Sequence, residues 1–461
     1  MSVHEKIRVE NVAGVAEEIR SRGLPDVTFA HFDTNGTLRG KKISKESFLS
    51  ALEGGLGLPS VFLATDHNEA VVPGLLLTDP KTGYQNGSIR IDPASMREFP
   101  QGTGRADLLF LTQFDDKHSL FCPRAILSEA IAKCEGLGWD VLSAFELEFS
   151  LLKETPATSA VKRADALEPF EDVAVFGSIV QQVYNSDLYD DLRLTSEVMG
   201  FPLDALHKEL GPGLIEVALQ PSSGIRSADN AALFKTMAKA IAKKRGLLAT
   251  FIAKLKTTLQ GHGAHVHLSM RDRKNGKPLF FDPDGEFGIS PMTRHFLGGL
   301  QRYLPDFTLL ALPNVNSYKR VIPDAWAPVY PNWGYENRTC AFRVVGGSSS
   351  SKRIEIRLAG ADANPYLVLA AILTAGRLGV EQKLEPTEPC KLNGWASEEQ
   401  PLQRFPASLS EAIDVFANSG PARDQFSEEF VAHLTGMKRA QNNDFLRSVT
   451  DWEVRNLLVS S

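Results

Sequence analysis

Cysteine is scarce in this chain. Cys122, Cys134, Cys340 and Cys390 stand far apart, with no CxxC pair. Neither a disulfide framework nor a sulfur-ligated zinc site is expected, and the thiols read as free in a reducing, cytoplasmic setting. Long apolar runs are lacking too: no stretch approaches the ~20 residues that cross a bilayer, and the opening MSVHEKIRVENVAG has no apolar run of signal-peptide length. No membrane partner is expected. An excess of positive charge is also missing. With 50 Lys and Arg against 56 Asp and Glu, the formal net charge is −6, which leaves no field to attract nucleic acid or anionic lipid. There is no internal repeat, low-complexity tract or coiled-coil heptad.

What is present is 461 residues, 43% of them hydrophobic, enough for two or more domains, or for one large domain with a small appendage. VTFAHFDTNGTLRGKKI (27–43) sets two β-rich runs around Asn-Gly, a hairpin signal. SKESFLSALEGG follows as a capped helix ended by glycine, and SIRIDP and DLLFLTQF as strands, so an α+β unit is expected over residues 1–112. A second unit, 113–461, begins with a helix whose stripe is Ile126, Leu127, Ala130, Ile131 and Cys134. Residues 230–254 read as a helix, with a solvated Lys-rich face over 235–245, and 408–459 as mostly helical.

Four segments read in period two carry the chemistry. In VLSAFELEFSLL (141–152), Val141, Phe145, Leu147, Phe149 and Leu151 share one face, and Ala144, Glu146, Glu148 and Ser150 the other. GLIEVAL (213–219) sets Glu216 opposite Ile215, Val217 and Leu219, with Glu209 just before the turn GPG. AHVHLSM puts His265, His267 and Ser269 on one face, and KRIEIRL does so for Arg353, Glu355 and Arg357. Any one of these reads as a strand with a solvated outer face. Together they gather five Glu, two His and two Arg with hardly any Lys. Clustered carboxylates raise one another's pKa unless a cation neutralises them, which calls for divalent metal or arginine. Oxygen-rich ligation with a single imidazole suits Mg²⁺ or Mn²⁺ better than Zn²⁺.

FELEF, HKELGPGLIEV, GHGAHVHLS, NSYKR, NRTCAFRVVG and KRIEIRLAGADANPYL follow in the order and approximate spacing of the catalytic domain of the glutamine synthetase family. DTNGTLRGK resembles the N-terminal motif of its relatives, and the resemblance covers nearly the whole chain. It implies an α+β protein with a small β-grasp-like N-terminal domain and a large catalytic domain built on a curved antiparallel sheet. It also implies homo-oligomers of two stacked rings, decameric or dodecameric, with each site at a subunit seam. By the same resemblance Glu148, Glu209 and Glu216 ligate one divalent ion, and Glu146, His265 and Glu355 a second. His267, Ser269 and Arg353 contact ATP, while Arg338 and Arg343, with Glu355 beside them, act on the transferring phosphoryl group. Arg320 and Arg357 hold the carboxylates of glutamate, with Gly261 at its amino-acid end. The implied chemistry is phosphorylation of the glutamate side chain by ATP, then attack by an amine.

The departures bear on substrate. Gln260 replaces an asparagine of ammonia-using members, His262 occupies a usually small position, Leu214 stands where glutamine is common, and TDHNEA (65–70) is the nearest counterpart of a missing Asp-Gly-Ser-Ser motif. Glutamine synthetases carry, at the position of Trp326, a glutamate that attracts ammonium and removes its proton. An indole does neither, and instead offers an apolar wall suited to a hydrophobic substituent. Asp66 and Glu69, from a neighbouring subunit, are the candidate replacement acids. The expected activity is a γ-glutamyl-amine ligase for alkyl- or arylamines. The alternatives are a glutamine synthetase using ammonia, a polyamine ligase, or a non-catalytic relative, the last opposed by all six ligands being present. EPCKLNGWAS, the counterpart of a loop adenylylated on tyrosine in some bacterial members, has no tyrosine, so that control is expected to be absent.

Overall fold

The computed structural model describes residues 11–100, 106–396 and 402–459. β1 (Asp26–Phe32) and β2 (Leu38–Ser44) pair as an antiparallel hairpin, in register from Asp26 opposite Ser44 to Phe32 opposite Leu38. Asp33 Oδ1 accepts from the N–H groups of Asn35 (2.9 Å) and Thr37 (2.8 Å), which closes the turn at the Asn-Gly pair. The helix Lys45–Gly54 starts on Ser44, whose side chain accepts from Ser47 N, and ends at Gly55, where φ is +73°. β3 (Leu56–Pro59), β4 (Asn86–Ile91), β5 (Arg97–Pro100) and β6 (Ala106–Phe114) complete a sheet ordered β2-β1-β6-β4-β3, with β5 on the side of β6. Phe29, Phe48, Ile89, Phe110 and Phe114 are fully buried in its core. Truncating one of these rings, Phe110→Ala for example, costs about 3–5 kcal/mol.

The larger sheet has nine strands. They are β7 (Trp139–Leu152), β8 (Leu203–Lys208), β9 (Leu214–Leu219), β10 (Ser222–Ser223), β11 (Leu248–Thr250), β12 (Ala264–Asp272), β13 (Trp333–Tyr335), β14 (Phe342–Val345) and β15 (Arg353–Ile356). The order is β13-β14-β15-β12-β7-β9-β8, with β10 and β11 also on β7. Every pairing is antiparallel except β13 with β14, and the sheet is curled. The apolar face expected for β7 is buried, Val141, Phe145, Leu147, Phe149 and Leu151, while of the other face Glu146 and Glu148 are half-buried and Ala144 and Ser150 buried; Phe149 meets Phe234 of the helix Arg226–Lys244 edge-on at 5.9 Å. Behind that layer the helix Pro365–Gln382 is buried on nearly all sides, as its apolar sequence requires.

Two expectations are corrected. The helix expected over 230–254 ends at Lys244, because Gly246 adopts φ +71° and turns the chain so that Leu248–Thr250 becomes an edge partner of β7. The Lys-rich face is not uniformly solvated. Lys235 is buried, its Nζ donating to Ala363 O at 2.9 Å, and burial lowers its pKa to about 7; Lys239, Lys243 and Lys244 are exposed. Among the described residues no helix is long and apolar enough to cross a membrane, and all four cysteines are free.

Candidate active site

Strand register turns the four polar faces into rows that run across the sheet. One row is His207 (β8), Glu216 (β9) and Glu148 (β7), continued by Gly263, whose carbonyl accepts from Glu148 N at 3.0 Å. The next sets Ala218, Glu146 and His265 side by side, and the third Ala144, His267, Glu355, Arg343 and Gly334. Antiparallel neighbours stand about 4.5–5.5 Å apart at Cβ, so each row brings its charged ends together.

At the Glu355 end, His265 Nδ1 lies 3.4 Å from Glu146 Oε2 and 3.6 Å from Glu355 Oε1, and His267 Nε2 lies 2.8 Å from Glu146 Oε1. Arg353 Nε donates to His267 Nδ1 (3.0 Å), which puts the neutral ring's proton on Nε2, toward Glu146. Arg343 Nη1 donates to Glu355 Oε2 (2.9 Å), and Arg357 Nη1 pairs with Oε1. Burial favours the neutral acid at both carboxylates. At Glu146 it is outweighed by His265 and His267, which hold the group far below the usual range, and at Glu355 by Arg357 first, which brings it to about 2.

At the other end, the ligand atoms of His207, Glu209 and Glu216 lie within 4.8 Å of one another, as do those of Glu146, His267 and Glu355. The hydrogen bond from His207 to Glu216 (3.2 Å) outweighs burial and raises the imidazole to about 9. Burial, then the charges of Glu216 and Glu148, raise Glu209. Buried Lys208 donates to the carbonyls of Glu209 (2.8 Å) and Leu214 (3.4 Å) and also to Gly211 O, which pins the turn between the strands. Both clusters, oxygen-rich with imidazole, fit Mg²⁺ or Mn²⁺, but they hold His207 where Glu148 was expected and His267 where His265 was expected. Among the described residues Arg343 Nε and Arg357 Nε are also buried without a hydrogen bond, a donor surplus suited to an anionic substrate.

Gly261 and Gly263 lie against Arg320: a Cβ at Gly261 would meet Arg320 Cγ at 2.7 Å, and one at Gly263 would meet Arg320 Nη2 at 2.9 Å and His265 Nε2 at 2.8 Å. Arg320 is buried, donating to Leu358 O (2.9 Å) and Arg357 O (3.3 Å) with no carboxylate partner among the described residues, and burial lowers its pKa to about 10. Gly263 N donates to Glu148 Oε2 at 2.7 Å. His262 is buried behind this loop. Its Nδ1 donates to Ile252 O, so the neutral ring's Nε2 accepts from Ser150 Oγ (2.8 Å), and it anchors the loop as a core histidine.

Trp326 is 50% exposed, sits at φ +57°, and its carbonyl accepts from Arg357 Nη2 at 3.4 Å. It is therefore not core. Arg338 is exposed on the turn before Cys340, and Ser269 is half-buried opposite Leu142 on β12. Asp66 and Glu69 are engaged within their own chain. Asp66 Oδ1 accepts from Asn68 N (2.8 Å) and Ala70 N (2.9 Å), and Glu69 takes two bonds from Arg39 (2.6 and 2.9 Å).

Three residues of this region were passed over in the sequence. His207 faces Glu216 only once the GPG turn folds β8 onto β9, and the signal was the spacing itself, since residues equidistant from a tight turn pair. Asp324, exposed at φ +61°, is a carboxylate two residues from Trp326 on the irregular segment 321–330, called the flap below. Trp395 meets Trp326 edge-on, and no local pattern announced that contact.

Residues 120–457 match the family described as glutamine synthetase, catalytic domain. The chain is 34% identical to the type-1 glutamine synthetase 2 of Dictyostelium discoideum, covering 96% of this chain and 85% of that one. It is 32% identical to the glutamate–isopropylamine ligase of a Pseudomonas species, covering 97% and 98%. With the γ-glutamylethanolamide synthetase of Streptomyces coelicolor it shares 35% identity, over 94% and 92%. The solved structure of the GmaS/ADP complex superposes with a TM-score of 0.83 at 25% identity, over 96% of this chain and 99% of that one. A catalytic-domain match over most of the chain, with relatives that align along nearly all of it, shows that this chain belongs to the glutamine synthetase family.

Proposed function

We propose that the chain is an ATP-dependent ligase joining the γ-carboxylate of glutamate to a primary amine, and that the amine carries an alkyl or aryl group. Glutamate, ATP and amine give the γ-glutamylamide, ADP and phosphate. The γ-carboxylate oxygen takes the terminal phosphoryl group as ADP leaves, and the amine nitrogen then displaces phosphate from the acyl phosphate and gives up a proton. Divalent metal, held by Glu148, Glu209 and Glu216 and by Glu146, His265 and Glu355, would offset phosphate charge. Arg320 and Arg357 orient glutamate; Arg338 and Arg343 neutralise the moving phosphoryl group; His267, Ser269 and Arg353 hold ATP.

The observation that carries the amine class is Trp326, half-exposed and hydrogen-bonded through its carbonyl to Arg357; by the family resemblance its position is that of an acid in ammonia-using members. Isopropylamine and ethanolamine, named for two relatives, support a ligase for small amines. Ammonia remains the second reading, favoured by the Dictyostelium relative. The exposed apolar residues Val175, Phe176, Ile179, Val180 and Val183 support burial against further copies of the chain, as a ring of subunits requires. We also assign domains to 1–112 and 113–461, and a cytoplasmic location consistent with four free thiols.

The test is phosphate release with ATP, Mg²⁺ and glutamate against ammonia, alkylamines, diamines and anilines, in wild type and Trp326→Glu. The proposal expects preference for a hydrophobic amine. It also expects Trp326→Glu to shift the amine-to-ammonia ratio of kcat/KM by roughly 1–3 kcal/mol toward ammonia. A wild-type preference for ammonia over every amine would refute it.

A further inference from the structure

The flap that carries Trp326 is held by a second segment, residues 388–396, to which the proposed reaction assigns nothing. This strap is stitched to the chain on both sides of Arg338. Asn337 Nδ2 donates to Cys390 O (3.1 Å) and Leu392 O (2.9 Å), Gly394 N donates to Thr339 Oγ1 (2.8 Å), and Asn332 Nδ2 donates to Gly394 O (2.8 Å). Cys390 N donates to Trp333 O at 2.8 Å. Gly394 is needed for this approach, since a Cβ there would meet Thr339 O at 2.7 Å.

Among the described residues the strap reaches the flap through Trp395. Trp395 Nε1 donates to Ala327 O at 2.9 Å, and its ring lies 5.7 Å from that of Trp326 at an interplanar angle of 80°. Trp326 itself has little else to fix it. It is half-exposed, and its left-handed backbone is uphill for a bulky residue, so neither core packing nor local conformation selects its orientation. An edge-to-face contact does, and because it covers an edge of one ring and a single face of the other, indole surface is left for a ligand. Ala327, tethered by Trp395, follows Trp326, whose carbonyl is bound by Arg357. The flap backbone is thus held at two consecutive carbonyls.

We infer that Trp395 is the positioning residue that holds Trp326 as the apolar wall against the amine. The inference rests on the amine-ligase reading above and goes beyond it by assigning specificity to a residue of the strap. Trp395 acts through Trp326, so its loss affects discrimination between amines more than the binding of ATP or glutamate.

The experiment measures kcat and KM of the full-length protein for isopropylamine and for ammonia, with ATP, Mg²⁺ and glutamate saturating, in wild type, Trp395→Ala and Trp395→Phe. Thermal melts are taken on the same samples. Trp395→Ala is expected to lower the isopropylamine-to-ammonia ratio of kcat/KM about tenfold, chiefly through KM for isopropylamine. KM for glutamate and for ATP should stay within about twofold of wild type. Trp395→Phe keeps an aromatic edge against Trp326 but loses the N–H and the second ring, so it should recover most of the ratio. If Trp395→Ala melts below the assay temperature, Trp395→Leu is read by the same ratio. An unchanged ratio in a folded variant overturns the inference while leaving the ligase reading standing. A wild type that uses ammonia alone overturns that reading, and the inference with it.

Discussion

The acid-rich floor and the aromatic flap meet at Arg357, whose guanidinium bonds both Glu355 and the carbonyl of Trp326, yet they are built by opposite means. The floor is strand register. Glu146, His265, His267, Glu355 and Arg343 converge because antiparallel neighbours pair one to one and every second side chain faces the same way. Its charges are fixed by partners: Glu355 is held near a pKa of 2, and His207 is raised to about 9. The flap has no ladder. Asp324 and Trp326 adopt positive φ, and the segment keeps its shape through Trp395 and Arg357. A floor set by register tolerates no change of charge but needs no outside brace, whereas the flap can change chemistry without disturbing the sheet.

The largest effect should come from breaking the floor. Glu146→Ala or His265→Ala is expected to abolish turnover while leaving the fold intact, since each removes a proposed metal ligand outside the apolar core. Phosphate release and circular dichroism on one preparation check both halves of that statement. Retained activity in both variants would remove the floor from the chemistry.

Arg338 is exposed and next to the strap's anchor Asn337. Arg338→Ala should reduce kcat by orders of magnitude with little change in KM for ATP, because its proposed partner is charge that develops on the transferring group. A change confined to KM would assign it to binding instead.

Gly263→Ala sharpens the comparison from the floor side. The added methyl would press on His265 Nε2 and Arg320 Nη2, both ends of side chains that can move, so activity should fall at least about tenfold while the melting temperature shifts little. A stability loss without an activity loss would show that the loop, and not the side chains, yields.

The smallest expected effect lies outside the site and serves as a control on it. His433 is buried, with Nε2 bonded to Leu63 O at 3.0 Å, and burial lowers its pKa from 6.5 to about 4. The unfolded chain takes up the proton near 6.5 and the folded one only near 4. The stabilisation is therefore complete above 6.5 and is lost as pH falls from there toward 4, by about 3 kcal/mol at most. His433→Gln should flatten the dependence of stability on pH over that window, read from urea melts, and leave the amine preference unchanged. An unaltered slope would mean that other groups carry the acid sensitivity.

The sequence by itself determined the strands, their two faces and the gathering of carboxylates, because period two is a local property and the residue types on each face are chemically distinct. It also marked the hairpin at Asn35. Tertiary structure decided the rest. The end of the helix at Lys244 depended on Gly246 turning the chain into an edge strand, and the burial of Lys235 on a carbonyl 128 residues away. His207 joined Glu216 only through the fold of a hairpin, and Trp395 reached Trp326 across 69 residues of chain. Contacts of that kind leave no periodic trace, since they are selected by the geometry of the assembled sheet and loops and by no pattern within any one segment.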